Sequence, residues 1–131
     1  MKVPFNINLS GKTAIVTGGS GTLCSAMTYG LAVSGAKVAI IGRNIEKLAS
    51  VSEKLTKNAL DEYNKEVTIK GYSCNVINKD ELTAAYETIK NELGSCDILI
   101  NGAGGNQPGA ITSIEMLKKD KEDSDYSFWN L

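Results

Sequence analysis

Residues 13–24 read TAIVTGGSGTLC, a short apolar run that breaks into glycines and continues into an amphipathic helix. Thr13 to Val16 predict a buried strand. Gly18, Gly19 and Gly21 permit a tight turn with close backbone approach, and the N–H groups that open the following helix face an anion. The stretch reads as a phosphate cradle whose natural guest is a dinucleotide pyrophosphate. Its spacing, Gly19-x-Gly21-x-x-Cys24, lacks the third glycine of the usual dinucleotide fingerprint, so the meaning of the stretch depends on its surroundings.

Downstream, Leu23, Ala26, Met27, Gly30, Leu31 and Ser34 recur at helical spacing and predict one buried stripe ended by Gly35, with small Ala26 and Gly30 letting the helix lie close to a sheet. Lys37 to Ile41, KVAII, is a second strand, and Asn44 caps a helix that buries Ile45, Leu48, Ala49, Ser52, Leu55 and Ala59. Val67 to Ser73 alternate like a third strand. Asn78 with Glu81 three residues later is a capping-box-like start for a helix burying Leu82, Ala85, Tyr86, Ile89 and Leu93 before Gly94. Asp97 to Asn101, DILIN, is a fourth strand that breaks into Gly102-Ala103-Gly104-Gly105, a second glycine turn. Upstream, residues 3–12 form a lead-in that turns at Ser10-Gly11-Lys12.

Strict strand-helix alternation predicts an α/β, Rossmann-like doubly wound parallel sheet in which strand one lies between strands two and four. Both glycine turns then meet at the topological switch point. Beyond Asn106 the pattern weakens to a proline turn, the start of a next helix around Ser113 to Lys119, the charged run DKEDSD and an apolar tail, Phe128-Trp129-Asn130-Leu131. The expectation is a single dinucleotide-binding domain over residues 1–131, truncated after its fourth strand. A parallel sheet that stops there leaves an edge and part of one face open, which predicts association, as a homo-oligomer, rather than a monomer.

Composition narrows the function. With 42% hydrophobic residues in 131, the chain can build one real core. Fourteen basic and 15 acidic residues, well mixed, give a net charge of −1 and no electrostatic footprint for nucleic acid or an anionic membrane surface. No apolar stretch reaches the roughly 20 residues a membrane span needs, and MKVPFNINLSGK lacks the apolar core of a signal peptide, so a cytoplasmic protein is expected. Cys24, Cys74 and Cys96 are odd in number and widely spaced, and are expected to be free thiols. The absence of histidine removes the commonest metal ligand and general base; no metal site and no Ser-His-Asp triad is expected.

Three ordered motifs, TGGSGTLC after the first strand, NVIN after the third and NGAG after the fourth, resemble the short-chain dehydrogenase/reductase family. The LCSAM helix opening and the NGAGGN turn are similar to the branch described as D-mannonate oxidoreductase, or fructuronate reductase. The resemblance spans about residues 5–131 but only the N-terminal half of what the family contains. It implies that Gly18, Gly21 and the turn around Ser20, Thr22 and Leu23 hold the pyrophosphate through main-chain N–H groups. It places Asn75 where the family has an aspartate for the adenine amino group, Val76 against the ring, and Asn101, Ala103 and Gly104 in a turn along the cofactor's ribose. For Asn101, structural stabilisation and direct contact weigh equally. Cys24 departs from the family's glycine; as a buried thiol it requires a wider helix-to-strand gap or a facing small residue.

At the end of strand two, sites that take an unphosphorylated ribose place an acid about 20 residues after the glycines. Here that place holds Gly42-Arg43, and a guanidinium can fork onto a 2′-phosphate, so NADP is the first choice of cofactor and NAD the second. The family's chemistry, by resemblance, uses a Ser and a Tyr-x-x-x-Lys pair. The spacing occurs once, at Tyr86 and Lys90, but before strand four, where it reads as a core tyrosine beside a surface lysine. No catalytic residue is therefore assigned. The expectation is the cofactor-binding portion of an NAD(P)-dependent oxidoreductase acting on a small-molecule secondary alcohol or ketone, a sugar acid among the candidates, inactive as this chain alone. The alternative is a non-catalytic nucleotide-binding or interaction module.

Overall fold

A computed structural model describes residues 6–104. The elements run β1 (Thr13–Thr17), α1 (Thr22–Val33), β2 (Lys37–Gly42), α2 (Ile45–Tyr63), β3 (Ile69–Ser73), α3 (Lys79–Glu92) and β4 (Ile98–Asn101). The strands form a four-stranded sheet in the order β3-β2-β1-β4, and every pairing is parallel. This is the α/β, Rossmann-like arrangement that the alternation predicts, with β1 between β2 and β4.

All five residues of β1 are buried, because both faces of a central parallel strand are covered. Ala14, Val16, Val38 and Ile40 point into a core shared with α1 and α2, and Ile15, Ala39 and Ile41 into a second core with Ile89 and Leu93. On β4, Ile98 and Ile100 pack on the first core, while Leu99 on the opposite face stays 57% exposed. Asp97 fastens the start of β4 to β1: its carboxylate accepts from the Thr13 N–H at 2.9 Å and from Lys12 Nζ at 3.1 Å. Those bonds, the main-chain one first, hold its carboxyl below the usual range.

Helix starts follow local chemistry. Asn44 Oδ1 accepts from the Lys47 N–H at 2.8 Å, and Asn78 Oδ1 accepts from the Asp80 and Glu81 N–H groups at 3.1 and 3.3 Å. Glu81 then departs from the usual capping box. Its carboxylate accepts from Asn78 Nδ2 at 2.9 Å and from the Asn75 N–H at 2.8 Å, tying the β3–α3 loop to α3.

The face of α1 corrects the sequence reading. Its buried residues are Cys24, Thr28, Tyr29, Ala32 and Val33, while of the expected stripe Ala26 is exposed and Leu23 and Met27 are 69% and 39% exposed. The helix, TLCSAMTYGLAV, carries no charge and its hydroxyls, Thr22, Ser25 and Thr28, mark no single polar face, so periodicity fits more than one face and tertiary packing chooses. Gly30 has open space beside it, so the close helix-to-sheet approach lies elsewhere, at Cys24. In α2, Leu48, Leu55 and Ala59 are buried as expected, whereas Ile45 and Ala49 are exposed. In α3, Ile89 is buried, but Tyr86, expected in the core, lies 36% exposed on the side facing Leu99 across an open groove. The loop, short helix and apolar tail expected over 106–131 lie outside the described residues.

Candidate functional site

At the carboxyl end of the sheet, the β1–α1 turn is stitched to β2. The N–H groups of Gly18 and Gly19 both donate to Ile41 O, at 2.8 and 3.3 Å, and the Gly21 N–H closes the turn onto Gly18 O at 2.9 Å. Gly18 has φ +68°, and a Cβ there would come 2.7 Å from Gly102 O and 2.9 Å from Ala103 N. The two glycine turns therefore pack backbone to backbone.

Thr17, the last residue of β1, holds them in register. Its Oγ1 accepts from the N–H groups of Gly102 and Ala103, each at 3.1 Å. Removing that acceptor leaves two half-buried donors unmade. Thr17→Val is expected to destabilise the chain by about 2 kcal/mol and Thr17→Ser by less than half as much, read from urea unfolding.

Cys24 meets Gly102 across the same junction. A Cβ on Gly102 would overlap the Cys24 Sγ, so Gly102 is the facing small residue that a thiol at the fingerprint's last position requires. The glycine missing from one side of the contact is present on the other. Cys24 is buried as a packing residue.

The start of α1 differs from the other two helices. Gly21 is its N-cap and supplies no side-chain bond, and the first turn carries no acid, whereas α2 and α3 have asparagine caps and acidic first turns. Its leading N–H groups have no capping side chain to satisfy them and no carboxylate to repel an anion.

A cleft of ≈ 520 Å³ opens beside this turn. Of the residues singled out in the sequence, it brings together Gly18, Ser20, Gly21, Arg43, Asn75, Val76, Ala103 and Gly104. Thr22 and Leu23 lie in the first turn of α1 and are not in its wall. Asn101 lines a neighbouring apolar groove of ≈ 580 Å³, which shares Ile41, Val76 and Ala103 with the cleft and has Thr17, Tyr86 and Leu99 in its walls. Among the described residues, the cleft wall holds two cations, Arg43 and Lys47, and no carboxylate. Asn75 Oδ1 is engaged, among the described residues, only by a 3.4 Å contact from the Ile77 N–H, so it keeps accepting capacity.

Sequence reasoning assigned no role in the site to Lys47, to Gly102 of the second glycine turn or to Cys74, and missed the turn-holding role of Thr17. The signal for Lys47 was local, since it stands one helical turn after Arg43; Gly102 and Thr17 gain their roles only from contacts across the fold. Cys74, buried under the cleft floor, has its thiol pushed up by burial and then by the Glu81 charge, which keeps it protonated and unreactive.

The profile of the family described as short chain dehydrogenase matches residues 12–123. The chain belongs to the short chain dehydrogenase family. An uncharacterised oxidoreductase of Bacillus subtilis is 43% identical over 117 residues, which cover 89% of this chain and 40% of that protein. A 2-dehydro-3-deoxy-D-gluconate 5-dehydrogenase of Formosa agariphila is 39% identical over 98 residues, covering 74% of this chain and 34% of that one. Among solved structures, a Haemophilus protein described as a candidate D-mannonate oxidoreductase, crystallised with NAD, superposes with a TM-score of 0.71 at 33% identity. That match covers 96% of this chain and 42% of the other, and it supports the resemblance to the D-mannonate oxidoreductase branch suggested by the LCSAM and NGAGGN motifs. The chain thus spans about two fifths of the length of such relatives. Among the described residues, no helix is long and apolar enough to cross a membrane.

Proposed function

We propose that this short chain dehydrogenase segment is the cofactor-binding portion of an NAD(P)-dependent oxidoreductase acting on a secondary alcohol or ketone of the sugar-acid class. The observation that carries the proposal is the fit of the cradle. The turn is glycine where a Cβ would collide, the start of α1 has no side-chain cap, and the cleft, among the described residues, has cations and no carboxylate. Gly18, Ser20 and Gly21, with the leading N–H groups of Thr22 and Leu23, would hold the pyrophosphate. Asn75 would accept from the adenine amino group, Val76 would pack on the ring, and Asn101, Ala103 and Gly104 would lie along the second ribose. The nicotinamide, when bound, supplies or takes up the hydride. This chain's residues bind and orient it, and none of them is assigned to proton transfer. The substrate class is supported by the gluconate-derivative dehydrogenase and the mannonate-type relative.

NADP is the preferred cofactor in this proposal. The Haemophilus relative holds NAD, so the preference rests on this chain's own Arg43 and on the absence of an acid at the ribose position. Titration of the chain with NADPH and NADH is expected to show NADPH bound at least ten-fold tighter, and Arg43→Asp is expected to reverse the order, since it replaces an attractive charge by a repulsive one. Equal binding of both by the parent would overturn the NADP preference; binding of neither would overturn the cradle itself.

A cytoplasmic, homo-oligomeric protein belongs to the same proposal. Its cytoplasmic part is supported by the three free thiols, which fit a reducing compartment. The open groove beside Tyr86 and Leu99 favours, as a second reading, an interaction module in which the nucleotide site is retained without catalysis. Hydride transfer to a panel of keto sugar acids, assayed with the longer enzyme of which this segment is proposed to be the cofactor-binding portion, separates the two: turnover supports the oxidoreductase, and nucleotide binding without turnover supports the module.

A further inference from the structure

The NADP preference has so far rested on one cation, yet the cleft presents two. Arg43 and Lys47 are both in its wall. Among the described residues, neither side chain has an ion-pair or hydrogen-bond partner: Arg43 is engaged through its carbonyl, which accepts from Ser73 Oγ at 3.2 Å, and Lys47 through its N–H on the Asn44 cap. The acid of the same turn, Glu46, is absent from the wall.

Both cations stand on fixed backbone. Lys47 is followed by Leu48, which is fully buried and packs so closely on β3 that a Cβ on Gly71 would come 2.7 Å from Leu48 Cβ. With Asn44 capping from one side and Leu48 seated on the other, the first turn of α2 cannot slide, and the Lys47 side chain leaves from the cleft rim. The bond from Ser73 likewise fixes the Arg43 backbone against β3. Two unpaired cations on anchored backbone, one just before and one in the first turn of a helix, form a site for a doubly charged anion. An unphosphorylated ribose has no such group; a 2′-phosphate does.

We propose that Lys47 is a specificity-determining residue: with Arg43 it grips the 2′-phosphate of NADP, the guanidinium as a planar fork and the ammonium as a point charge. The inference rests on the cofactor reading above and adds a second residue to it.

The test uses the adenosine end alone, so the rest of the site does not enter. The full chain is titrated calorimetrically with adenosine 2′,5′-bisphosphate and with adenosine 5′-monophosphate, for the parent and for Lys47→Gln, Lys47→Arg and Arg43→Gln. Lys47→Gln is expected to weaken the bisphosphate about ten-fold while leaving the monophosphate within about two-fold, and Lys47→Arg to restore most of the loss. Equal weakening of both ligands, or no change in either, overturns the role of Lys47. If Arg43→Gln alone lowers the bisphosphate preference, the NADP reading stands and this inference falls. A parent with no preference for the bisphosphate overturns both.

Discussion

Replacing Gly18 with alanine is expected to abolish nucleotide binding and to lower stability by about 3 kcal/mol, the sum of a left-handed backbone penalty of roughly 1–2 kcal/mol and an overpacking penalty of similar size. The residue sits at φ +68°, where an L side chain is strained whatever the space around it. There is also no space, because the new Cβ would lie 2.7 Å from Gly102 O and 2.9 Å from Ala103 N. Both neighbours are main-chain atoms in a turn held by Thr17, so neither can swing aside as a flexible side chain would. The two turns must separate, and the pyrophosphate cradle and the ribose turn separate with them. Gly104→Ala is the control for stability: no described residue lies within 4 Å of its Cβ position, and stability is expected to change by less than about 0.5 kcal/mol. Urea unfolding with NADPH titration reads both variants. A Gly18→Ala chain as stable as the parent would show that the turns are not locked together.

What the sequence made legible were features whose chemistry is local. Asn44 and Asn78 announce helix starts because a short amide beside free N–H groups caps them, and the structure shows those bonds. The apolar runs of β1 and β2 read as central strands because both faces are covered, and strand-helix alternation then leaves little choice of topology. The buried face of α1 was not legible, since a helix with no charged residue, and with one of its few hydroxyls, Thr28, buried, has no polar side to mark the solvent. Tyr86 was misplaced for a related reason: helical spacing puts it in line with Ile89, but only the layout of β4 decides whether anything stands opposite. Most of the cleft-lining residues could be named in advance because each borders a strand end at the switch point. Lys47 was missed because a cation in a helix's first turn looks like solvent-facing charge until Leu48 fixes which way the turn is presented. Thr17 and Gly102 were missed because the bond that joins them connects residues 85 apart.

The same long-range junction sets the remaining test. Gly102→Ala is expected to destabilise by about 3 kcal/mol, because its Cβ would overlap the Cys24 Sγ and lie 2.9 Å from Thr17 O. The first obstacle is a side-chain atom and the second is backbone, so the two can be separated. Cys24→Ala removes the sulfur and costs about 1 kcal/mol as a buried truncation. It leaves a Cβ that would be 3.6 Å from the methyl introduced by Gly102→Ala, an ordinary contact. The double variant should therefore be more stable than the sum of the two single losses predicts, with a coupling of about 1–2 kcal/mol from urea unfolding. The remaining deficit is the Thr17 carbonyl contact, which no change at residue 24 can relieve. Additivity within about 0.5 kcal/mol would mean that α1 shifts away from the turn when crowded. Cys24 and Gly102 would then be neighbours without being matched in size. Coupling of the expected size means that the small residue needed for helix and turn to meet has moved from residue 24 to residue 102. The incomplete fingerprint would then be a complete contact, written across two turns.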